Sequence, residues 1–540
     1  MFRPNPLGLT DGYKVGHKAM LAPGTDYLYG TWIPRSLKYA APGIKKILSA
    51  GHQLTWRWIH DEFQENFFNQ PIEVAKKFTR DMNLYLGLPY DGTHFEELHK
   101  LGYLPVRVKA LPEGIETNPN IPHQTFINTK PGFAWLTLYL ETVVSNLSWK
   151  SSTNATIALE YRRRVTDWVM KTDPSNAWFI DFACHDFSSR GLDPFTSISS
   201  GLAHAYSFLG SDTLVVIDAA RYFYGVGEDD VCINSVNASE HSVTCTGLFY
   251  FLNKLENGEL DHEIDKYYSY DVEATKSTRD NTDLMAIAEW LNLRRWLGIF
   301  PTGILSVVSD TFDFFRVVTE ILPRLKDEIM ARDGKLVIRP DSGDPVDITC
   351  GYNSLSDYDF AEKRVSVTPN QPEFKGVVEL LWDIFGGNVN EMGYKVLDSH
   401  IGMIYGDSIT LDRQTQIYER LAVKGFAATN VVLGVGSYTY QFNTRDTFGF
   451  AAKGAWFQAE GVDYNIYKDP ATDSGTKKSL KGMVAVHLED GEYVATVECS
   501  KEQEAGGVLQ VIYEDGKFHN LTTLDEIRSR VKELSSNFQI

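Results

Sequence analysis

Short apolar runs alternate with helical stretches along the middle of the chain, between about residues 178 and 436. Polar residues or glycines flank five of these runs: TLVVIDA after Asp212, LSVVS before Asp310, KLVI before Arg339-Pro-Asp341, GMIY before Gly406-Asp407, and NVVL before Gly434-Val-Gly436. Short apolar runs separated by helices are typical of parallel strands buried on both faces. The pattern therefore predicts an α/β fold that contains an irregular α/β barrel.

Apolar side chains recur at helical spacing in two longer segments. One segment runs from Thr156 to Lys171, and the other runs from about Phe315 to Ala331. A recurrence every three and four residues places the apolar side chains on one face of a helix. We predict an amphipathic helix in each segment.

The two ends of the chain have a different pattern from the middle. After about residue 450, EYVATVEC and GVLQVIY predict antiparallel strands, and TLDEIRSRVKEL predicts a final helix opened by the capping box Thr523-x-x-Glu526. The first 145 residues are also mixed, and a chain of 540 residues is too long for one compact core. We expect residues 146–439 to form a barrel-like catalytic domain. Residues 1–145 plus 440–540 are expected to form a second, discontinuous α+β domain.

The charge balance argues against nucleic acid and anionic membranes as binding partners. The chain has 52 Lys and Arg residues against 71 Asp and Glu residues, a formal net charge of −19, which disfavours nonspecific binding to nucleic acid or to an anionic membrane. The first residues, MFRPNPLGLTDGYK, lack an apolar core long enough for a signal peptide, and no apolar stretch in the sequence has the length of a membrane span, so we expect a cytoplasmic protein. The five cysteines are widely spaced without a CxxC pair, and we interpret them as reduced, mostly buried thiols.

The residues that follow the apolar runs are candidates for a functional site. In α/β barrels the carboxyl ends of the strands carry the active site. The candidates at that rim are Asp310, Arg339, Asp341 and Asp407. Asp and Gly also follow strands for reasons of turn geometry alone, and this structural interpretation stays open for each position. The P-loop and GxGxxG motifs are absent, so a phosphate site would need locally clustered basic residues.

Three motifs contain side chains that could bind a ligand or take part in catalysis. VIRPDSGDP places Arg339 and Asp341 beside a serine and a glycine, and this set suits a phosphorylated sugar. SVNASEHSVT contains His241, a candidate nucleophile or base, although a lone histidine is more often a hydrogen-bonded structural residue. HDFSSRG brings Phe187 and Arg190 to one side of a turn or short helix, unless it is an ordinary amphipathic turn.

The order of these motifs resembles that of the nicotinamide phosphoribosyltransferases. The matching segments are TDGYK, HDFSSRG, SEHS, SVVSDTFD, VIRPDSGDP, YGD, GVGS followed by TRD, and YKDP followed by a basic run. The resemblance covers nearly the whole chain and rests mainly on RPDSG together with SEHS and SDTFD. It implies an enzyme that joins nicotinamide to the ribose of phosphoribosyl pyrophosphate and releases pyrophosphate in NAD salvage.

The resemblance implies a nicotinamide site. Phe187 and Tyr13 would sandwich the pyridine ring, with Tyr13 supplied by the second subunit of a homodimer, and Arg339 would lie near the carboxamide. Asp212 would accept a hydrogen bond from the carboxamide nitrogen and repel nicotinic acid. The alternative is that Asp212 only starts the apolar run that follows it.

The resemblance also implies a phosphoribosyl and diphosphate site. The positions that match the family's contacts are Arg190, Ser235, Ser306, Gly406, Asp407, Gly436 and Ser437, with Arg35, Arg445 and Lys453 supplied across the dimer interface. Asp310 and Asp341 would act at the ribose and beside Mg²⁺, which helps the leaving group to depart. His241 matches a histidine that ATP phosphorylates to favour product formation, so ATP is an expected stimulating co-substrate.

Three other functions stay open from the sequence. A nicotinate phosphoribosyltransferase would share the fold but choose the acid, and Asp212 argues against it. A barrel glycosidase would use Asp310 and Asp341 as its carboxylate pair, although the interleaved basic residues fit an anionic substrate better. A non-catalytic binding relative would be expected to lack several motif residues. The chain departs from the family pattern at GVGSYTY and in added length near residues 253–300 and 350–395.

Overall fold

The computed structural model describes residues 4–272, 283–352, 357–360, 363–366, 371–472 and 479–536. Parts of the added segments near residues 253–300 and 350–395, and part of the basic run after YKDP, lie outside these residues. In the described ranges, no helix has both the length and the apolar character needed to cross a membrane. All five cysteines are described; each is a free thiol, and four of them are buried as expected.

Parallel strands from the middle of the chain form a six-stranded sheet. In spatial order they are Cys184–Phe187, Val431–Gly436, Ile401–Tyr405, Asp333–Arg339, Thr302–Val308 and Asn237–Ala238. Four of the five apolar runs lie in these strands. Because neighbouring strands are parallel, their carboxyl ends meet at one edge of the sheet.

Isolated bridges continue this sheet from one edge towards the other. Asp186 bridges Ser211, and Gly210 bridges Asn234, both in the parallel direction. Asn234 shortly precedes Asn237–Ala238, which is the opposite edge strand. The predicted barrel is therefore present in an irregular form, in which single bridges replace full strands on one side.

Strands from the two ends of the chain share a second, antiparallel sheet. In spatial order they are Val462–Asn465, Ala451–Ala459, Thr25–Ile33, Gln124–Asn128, Val106–Ala110, Gln510–Glu514 and Lys517–Phe518. Thr25–Ile33 pairs with Ala451–Ala459 on one side and with Gln124–Asn128 on the other. This pairing is what a discontinuous domain would require, and the domain boundaries at 145 and 440 stay predictions.

Shorter strand pairs and helices surround the two sheets. The pairs are Ile47–Leu48 with Glu116–Thr117, Asp357–Phe360 with Lys363–Ser366, Gly387–Val389 with Lys395–Leu397, and Met483–Glu489 with Glu492–Cys499. The longer helices are His52–Phe63, Glu73–Leu86, Thr93–Leu101, Glu141–Thr172, Pro194–Ala205, Val215–Tyr224, His241–Glu256, Asp261–Tyr268, Asp283–Ile299, Val377–Phe385, Leu411–Val423 and Leu524–Ser536. Glu141–Thr172 contacts both Leu411–Val423 and the antiparallel strand Ala451–Ala459, so it links the two parts.

The run TLVVIDA after Asp212 is helical, and the strand predicted there is wrong. The run lies mostly in the helix Val215–Tyr224. The buried side chains of this helix recur at the spacing of one helical face: Val216, Ala219, Ala220, Phe223 and Tyr224. Leu214 and Val215, two of the apolar residues that suggested a strand, are exposed. The apolar run is too short to show the helical period, which becomes clear only with the residues that follow it.

Two of the three helix predictions are confirmed, those at Thr156–Lys171 and at TLDEIRSRVKEL, which forms the helix Leu524–Ser536. The segment from Thr156 to Lys171 is the second half of the helix Glu141–Thr172. The capping box is also present. The backbone N–H of Thr523 donates to Glu526 Oε2 at 2.9 Å, and the backbone N–H of Glu526 donates to Thr523 Oγ1 at 3.3 Å.

The segment from Phe315 to Ala331 is less regular than the single helix predicted there. It consists of short helical turns, including a π-helical turn at Val317–Ile321. Pro323 lies in the first turn that follows. Proline has no backbone N–H to donate to the preceding turn, which explains why a continuous α-helix does not form.

Candidate active site

One cavity opens where the carboxyl ends of the parallel strands meet. Its volume is about 680 Å³. The residues selected from the sequence that line it are Phe187, Arg190, Asp212, Arg339, Asp341, Gly406, Asp407 and Ser437, and Ser239 and Glu240 also line it. These residues come from several different strands, so the cavity depends on the sheet rather than on one continuous segment.

Phe187 and Asp212 both line the cavity. Asp212 Oδ1 accepts a hydrogen bond from His185 Nε2 at 3.0 Å and another from Ser235 Oγ. Burial opposes the ionisation of Asp212, but these two donors and the charge of Arg339 outweigh burial and hold the pKa of the carboxyl below its usual range. Asp212 is therefore a fixed anion. Ser235, which the resemblance matches to the sugar phosphate, contacts this carboxylate, and its predicted role stays a prediction.

Arg339 is a buried cation in the cavity wall. Its Nη2 donates a 2.5 Å hydrogen bond to the backbone carbonyl of Ser239, whose Oγ accepts from the backbone N–H of Val308 at 2.9 Å. Arg339 Nε lies 3.8 Å from Asp341 Oδ1 and has no hydrogen-bond partner among the described residues. A buried guanidinium with an unused donor is suited to bind an oxygen of a ligand.

The RPDSG turn is folded onto Asp310. Asp310 Oδ2 accepts hydrogen bonds from the backbone N–H of Asp341 at 2.8 Å and from Ser342 Oγ at 2.6 Å. The hydroxyl of Tyr405 donates to the carbonyl oxygens of Ser342 and Gly343, each at 3.0 Å. Asp310 Oδ1 is buried and has no hydrogen-bond partner in the described part of the chain. One oxygen of Asp310 thus holds the turn, and the other lies 3.6 Å from His241 Nε2.

His241 lies beside the cavity as the first residue of the helix His241–Glu256. Its Nδ1 is 3.1 Å from Thr311 Oγ1, while its Nε2 is 3.6 Å from Asp310 Oδ1 and 3.9 Å from Asp341 Oδ2. Burial raises the pKa of Asp341, and the charge of Arg339 opposes that shift. The Nε2 edge of the imidazole therefore faces two carboxylates, and its side chain is half-exposed.

Two glycines allow carboxylates to approach the strand ends closely. A Cβ atom on Gly406 would stand 1.8 Å from Asp341 Oδ1, and a Cβ atom on Gly436 would stand 2.0 Å from Asp407 Oδ1. Any side chain at either position would displace the carboxylate. The glycines are therefore part of the geometry that places Asp341 and Asp407.

The departure from the family pattern at GVGSYTY lies partly outside the cavity. Ser437 lines the cavity and begins the short helix Ser437–Gln441. Tyr438 is exposed and stacks on Phe442, with ring centroids 4.8 Å apart. Ser306, in contrast, is buried in its strand beside Ala238, and its Oγ has no partner among the described residues.

The remaining selected residues are Tyr13, Arg35, Arg445 and Lys453, and none of them lines the cavity formed by the described chain. Lys453 Nζ pairs with Glu141 Oε1 at 3.1 Å, and both Glu141 and Arg445 interact electrostatically with Tyr13. Arg35 Nε donates to the carbonyl of Gly449 at 2.8 Å. Tyr13 is 67% exposed. One chain alone does not bring this second group to Phe187.

Comparison with known proteins gives the family. A family model described as the nicotinate phosphoribosyltransferase (NAPRTase) family matches residues 182–517, more than half of the chain. The chain belongs to the nicotinate phosphoribosyltransferase family. A nicotinamide phosphoribosyltransferase of Acinetobacter baylyi is 41% identical over 554 residues, covering 100% of this chain and 99% of its own. A nicotinamide phosphoribosyltransferase of Mycoplasma pneumoniae is 30% identical over 494 residues, covering 87% of this chain and 93% of its own.

The solved structure of another protein has a fold similar to that of this nicotinate phosphoribosyltransferase family member. Human nicotinic acid phosphoribosyltransferase superimposes with a TM-score of 0.52 and 14% identity, over 97% of this chain and 93% of that chain. The likeness confirms the predicted α/β architecture.

Three residues of this family member belong to the site's geometry but were not selected from the sequence: His185, Ser239 and Thr311. Each lies within two residues of a selected position, inside the motifs HDFSSRG, SEHS and SDTFD. Their place in a motif is the signal that could have found them. Their partners could not be read from the sequence, because each contact joins segments far apart in the chain.

Proposed function

We propose that this chain transfers the phosphoribosyl group of phosphoribosyl pyrophosphate to nicotinamide, giving nicotinamide mononucleotide and pyrophosphate for NAD salvage. The observation that supports this most is a single cavity lined by an aromatic ring, Phe187, a fixed anion, Asp212, and a cation, Arg190. The two relatives described above carry the name of this activity. We also propose a cytoplasmic location, where the phosphorylated substrates are made.

Asp212 supports nicotinamide rather than nicotinic acid as the substrate. An ionised carboxylate accepts hydrogen bonds and donates none, so it suits the N–H groups of a carboxamide. The carboxylate of nicotinic acid would meet a like charge in the same place. Although burial opposes ionisation, the hydrogen bonds from His185 and Ser235 hold the pKa of Asp212 low. The discrimination against the acid therefore persists at neutral pH.

Phe187 suits the charge change of the reaction. The ring nitrogen of nicotinamide attacks as a neutral nucleophile and becomes cationic in the product, so no general base is required. An aromatic face attracts a cation. Stacking on Phe187 would therefore stabilise the pyridinium more than the neutral ring, which is the direction that favours reaction.

Asp310 and Asp341 suit Mg²⁺ bound together with the diphosphate. Within the described ranges, no group of three or more His, Cys, Asp or Glu side chains could hold a metal ion by itself. Mg²⁺ is commonly bound through one or two carboxylates and substrate phosphates, and the unpartnered Asp310 Oδ1 fits that mode. When bound, Mg²⁺ neutralises charge on the departing pyrophosphate. The chain's own contribution is to fix both carboxylates through the turn at Ser342.

ATP is proposed as a stimulating co-substrate that phosphorylates His241. The attacking imidazole nitrogen forms a bond to the γ-phosphorus as the bond to the ADP oxygen breaks. Thr311 occupies Nδ1, which leaves Nε2 as the candidate nucleophile. Since Nε2 faces Asp310 and Asp341, a phosphoryl group there would lie among the carboxylates assigned to Mg²⁺.

A homodimer with shared active sites is proposed because the second group of selected residues lies apart from the cavity. Arg35, Arg445 and Lys453 would then reach the phosphates of the partner's site, and Tyr13 would cover its pyridine ring. Mixing an inactive Asp310→Asn chain with an inactive Arg445→Ala chain tests this arrangement. Shared sites predict recovery of about a quarter of the parent's activity, because half of the dimers then hold one intact site. No recovery after subunit exchange would exclude shared sites.

The main proposal is tested with purified protein, phosphoribosyl pyrophosphate and Mg²⁺. Nicotinamide and nicotinic acid are supplied separately at equal concentration, with and without ATP. We expect nicotinamide mononucleotide and an equivalent amount of pyrophosphate, with a clear preference for the amide and more product when ATP is present. A preference for the acid would overturn the substrate assignment, and no pyrophosphate with either ring would overturn the reaction.

A further inference from the structure

His185 connects the two groups assigned to nicotinamide. It lies in the strand Cys184–Phe187, two residues before Phe187, and its ring packs on the ring of Phe187 with centroids 4.6 Å apart and an interplanar angle of 30°. Its Nε2 is 3.0 Å from Asp212 Oδ1. We propose that His185 is a specificity-determining positioning residue, which fixes Asp212 so that one oxygen of its carboxylate points to the carboxamide. The inference rests on the proposed function, because it concerns the same substrate.

The direction of the hydrogen bond follows from the charge of Asp212. An ionised carboxylate only accepts, so Nε2 of His185 must carry the proton that it shares with Oδ1. Ser235 Oγ also donates to Oδ1, and both donors that reach this carboxylate within the described residues use that same oxygen. Oδ2 is therefore the oxygen left to accept from the substrate.

The surroundings of His185 keep its ring in place. Its side chain is only 12% exposed, whereas that of Asp212 is 43% exposed. The ring contacts Phe187 and also lies close to Gly210, where a Cβ atom would stand 2.9 Å from His185 Nδ1. The backbone of Asp186 accepts from the N–H of Asp212 at 3.0 Å, which fixes the segment that carries the carboxylate. The mostly buried ring of His185 therefore supports the more accessible carboxylate of Asp212.

This arrangement has a consequence for the choice of substrate. A carboxylate free to rotate would present either oxygen, or neither, to the carboxamide, and its interaction with nicotinamide would weaken. The repulsion of nicotinic acid would also weaken, because the acid could push a mobile carboxylate aside. His185 thus acts on binding and selectivity through Asp212, without touching the reacting nitrogen.

Two substitutions of His185 separate the hydrogen bond from the packing. His185→Phe keeps a ring beside Phe187 but removes the donor, and His185→Gln keeps a donor at the reach of Nε2. With His185→Phe we expect the KM for nicotinamide to rise roughly ten-fold while kcat changes by less than about three-fold, because one charge-assisted hydrogen bond is lost. The ratio of kcat/KM for nicotinamide to that for nicotinic acid should fall by about the same factor. His185→Gln should stay within about three-fold of the parent in each quantity.

The control is His262→Phe, a change of the same type at an exposed position on the helix Asp261–Tyr268, and we expect it to leave every constant unchanged. The KM for phosphoribosyl pyrophosphate should also stay constant in both His185 variants. If His185→Phe does not give folded protein by thermal unfolding, His185→Asn replaces it, because its amide is one methylene too short to reach Asp212. The KM and selectivity of His185→Asn are then compared with those of His185→Gln in the same way.

The outcomes distinguish this inference from the proposed function. A parent enzyme that prefers nicotinamide, together with a donor-lacking variant that keeps the parent's KM and selectivity, overturns the positioning role alone. Equal losses in the Gln variant and the donor-lacking variant also overturn it, since packing would then explain the effect. A parent that prefers nicotinic acid overturns the proposed function, and the role of His185 in choosing the amide falls with it.

Discussion

Ser342 Oγ donates a 2.6 Å hydrogen bond to Asp310 Oδ2, and this bond ties the turn after one barrel strand to the end of its neighbour. The backbone N–H of Asp341 donates to the same oxygen. Two donors on one side of the carboxylate leave its other oxygen, Oδ1, buried and without a partner among the described residues. The two oxygens of Asp310 therefore have different surroundings, and only Oδ2 holds the turn.

Asp310→Asn should lower kcat/KM for phosphoribosyl pyrophosphate by roughly two orders of magnitude. The amide oxygen can still accept from both donors, but an N–H₂ group then replaces Oδ1, and the negative charge proposed to lie beside Mg²⁺ is lost. Steady-state rates at saturating nicotinamide measure the effect. The matched control is Asp333→Asn, at the exposed amino end of the strand Asp333–Arg339, which should behave as the parent. Equal activity of Asp310→Asn and Asp333→Asn would contradict the assignment.

Gly406→Ala should reduce kcat by roughly 100-fold, because its Cβ would land 1.8 Å from Asp341 Oδ1 and a shift of that size at a reacting group is costly. The fold should survive, since the clash is with a side chain. Gly298→Ala is the control: nothing lies within 4 Å of that Cβ position, and Ala is the better helix former. An unaltered rate in Gly406→Ala would show that Asp341 has room to move without consequence.

His241→Ala should abolish the increase in product that ATP causes, because the phosphate acceptor is removed. The rate of nicotinamide mononucleotide formation with and without ATP is compared in each protein, and transfer of label from γ-labelled ATP to the chain is followed in parallel. His262→Ala, at an exposed position, should keep both the stimulation and the label. Stimulation that persists in His241→Ala would place the ATP effect elsewhere.

Glu289 predicts a specific dependence of stability on pH. Burial raises its pKa from 4.5 to about 8, so it stays protonated in the folded chain at pH values where it ionises in the unfolded chain. The unfolded state then binds fewer protons, and the stability contributed by Glu289 is full below its unfolded pKa and is lost as the pH rises towards 8. Glu289→Gln should remove this loss. Between pH 5.5 and 7.5 the variant should gain on the order of 2 kcal/mol over the parent.

Urea unfolding at several pH values measures this difference. Glu256→Gln, an exposed position on the helix His241–Glu256, is the matched control and should follow the parent at every pH. If the difference in unfolding free energy between Glu289→Gln and the parent did not grow with pH, the buried glutamate would have to be ionised in the folded state already.

The sequence predicted the fold well where an apolar run had about the same length as the strand that it forms. Runs such as KLVI coincide with a strand, Asp333–Arg339, because a strand needs only a few residues to be recognised. TLVVIDA was misassigned because the helical face continues to Phe223 and Tyr224, beyond the apolar run. The irregular side of the barrel could not be predicted from the sequence, because single bridges such as the one between Gly210 and Asn234 produce no periodic pattern of apolar residues.

The sequence indicated some of the residues of the site but not others. Motif residues such as Asp212 and Arg339 do line one cavity, which their separation in the chain could not have shown without the family resemblance. The sequence alone does not indicate His185 and Thr311 as site residues, because their roles depend on the hydrogen bonds that they make with Asp212 and His241. Such contacts across strands are decided by the packing of the sheet, and a residue's own neighbours in the sequence do not reveal them.

The antiparallel sheet has a consequence for the newly made chain. The strand Thr25–Ile33 needs Ala451–Ala459 as its partner, and at roughly 5–20 residues per second the ribosome takes on the order of 20 to 80 seconds to add what lies between. Throughout that delay one edge of the strand lies open to pairing with other nascent chains. Slower translation would lengthen this exposure, and a polypeptide halted before residue 451 would keep the edge open permanently.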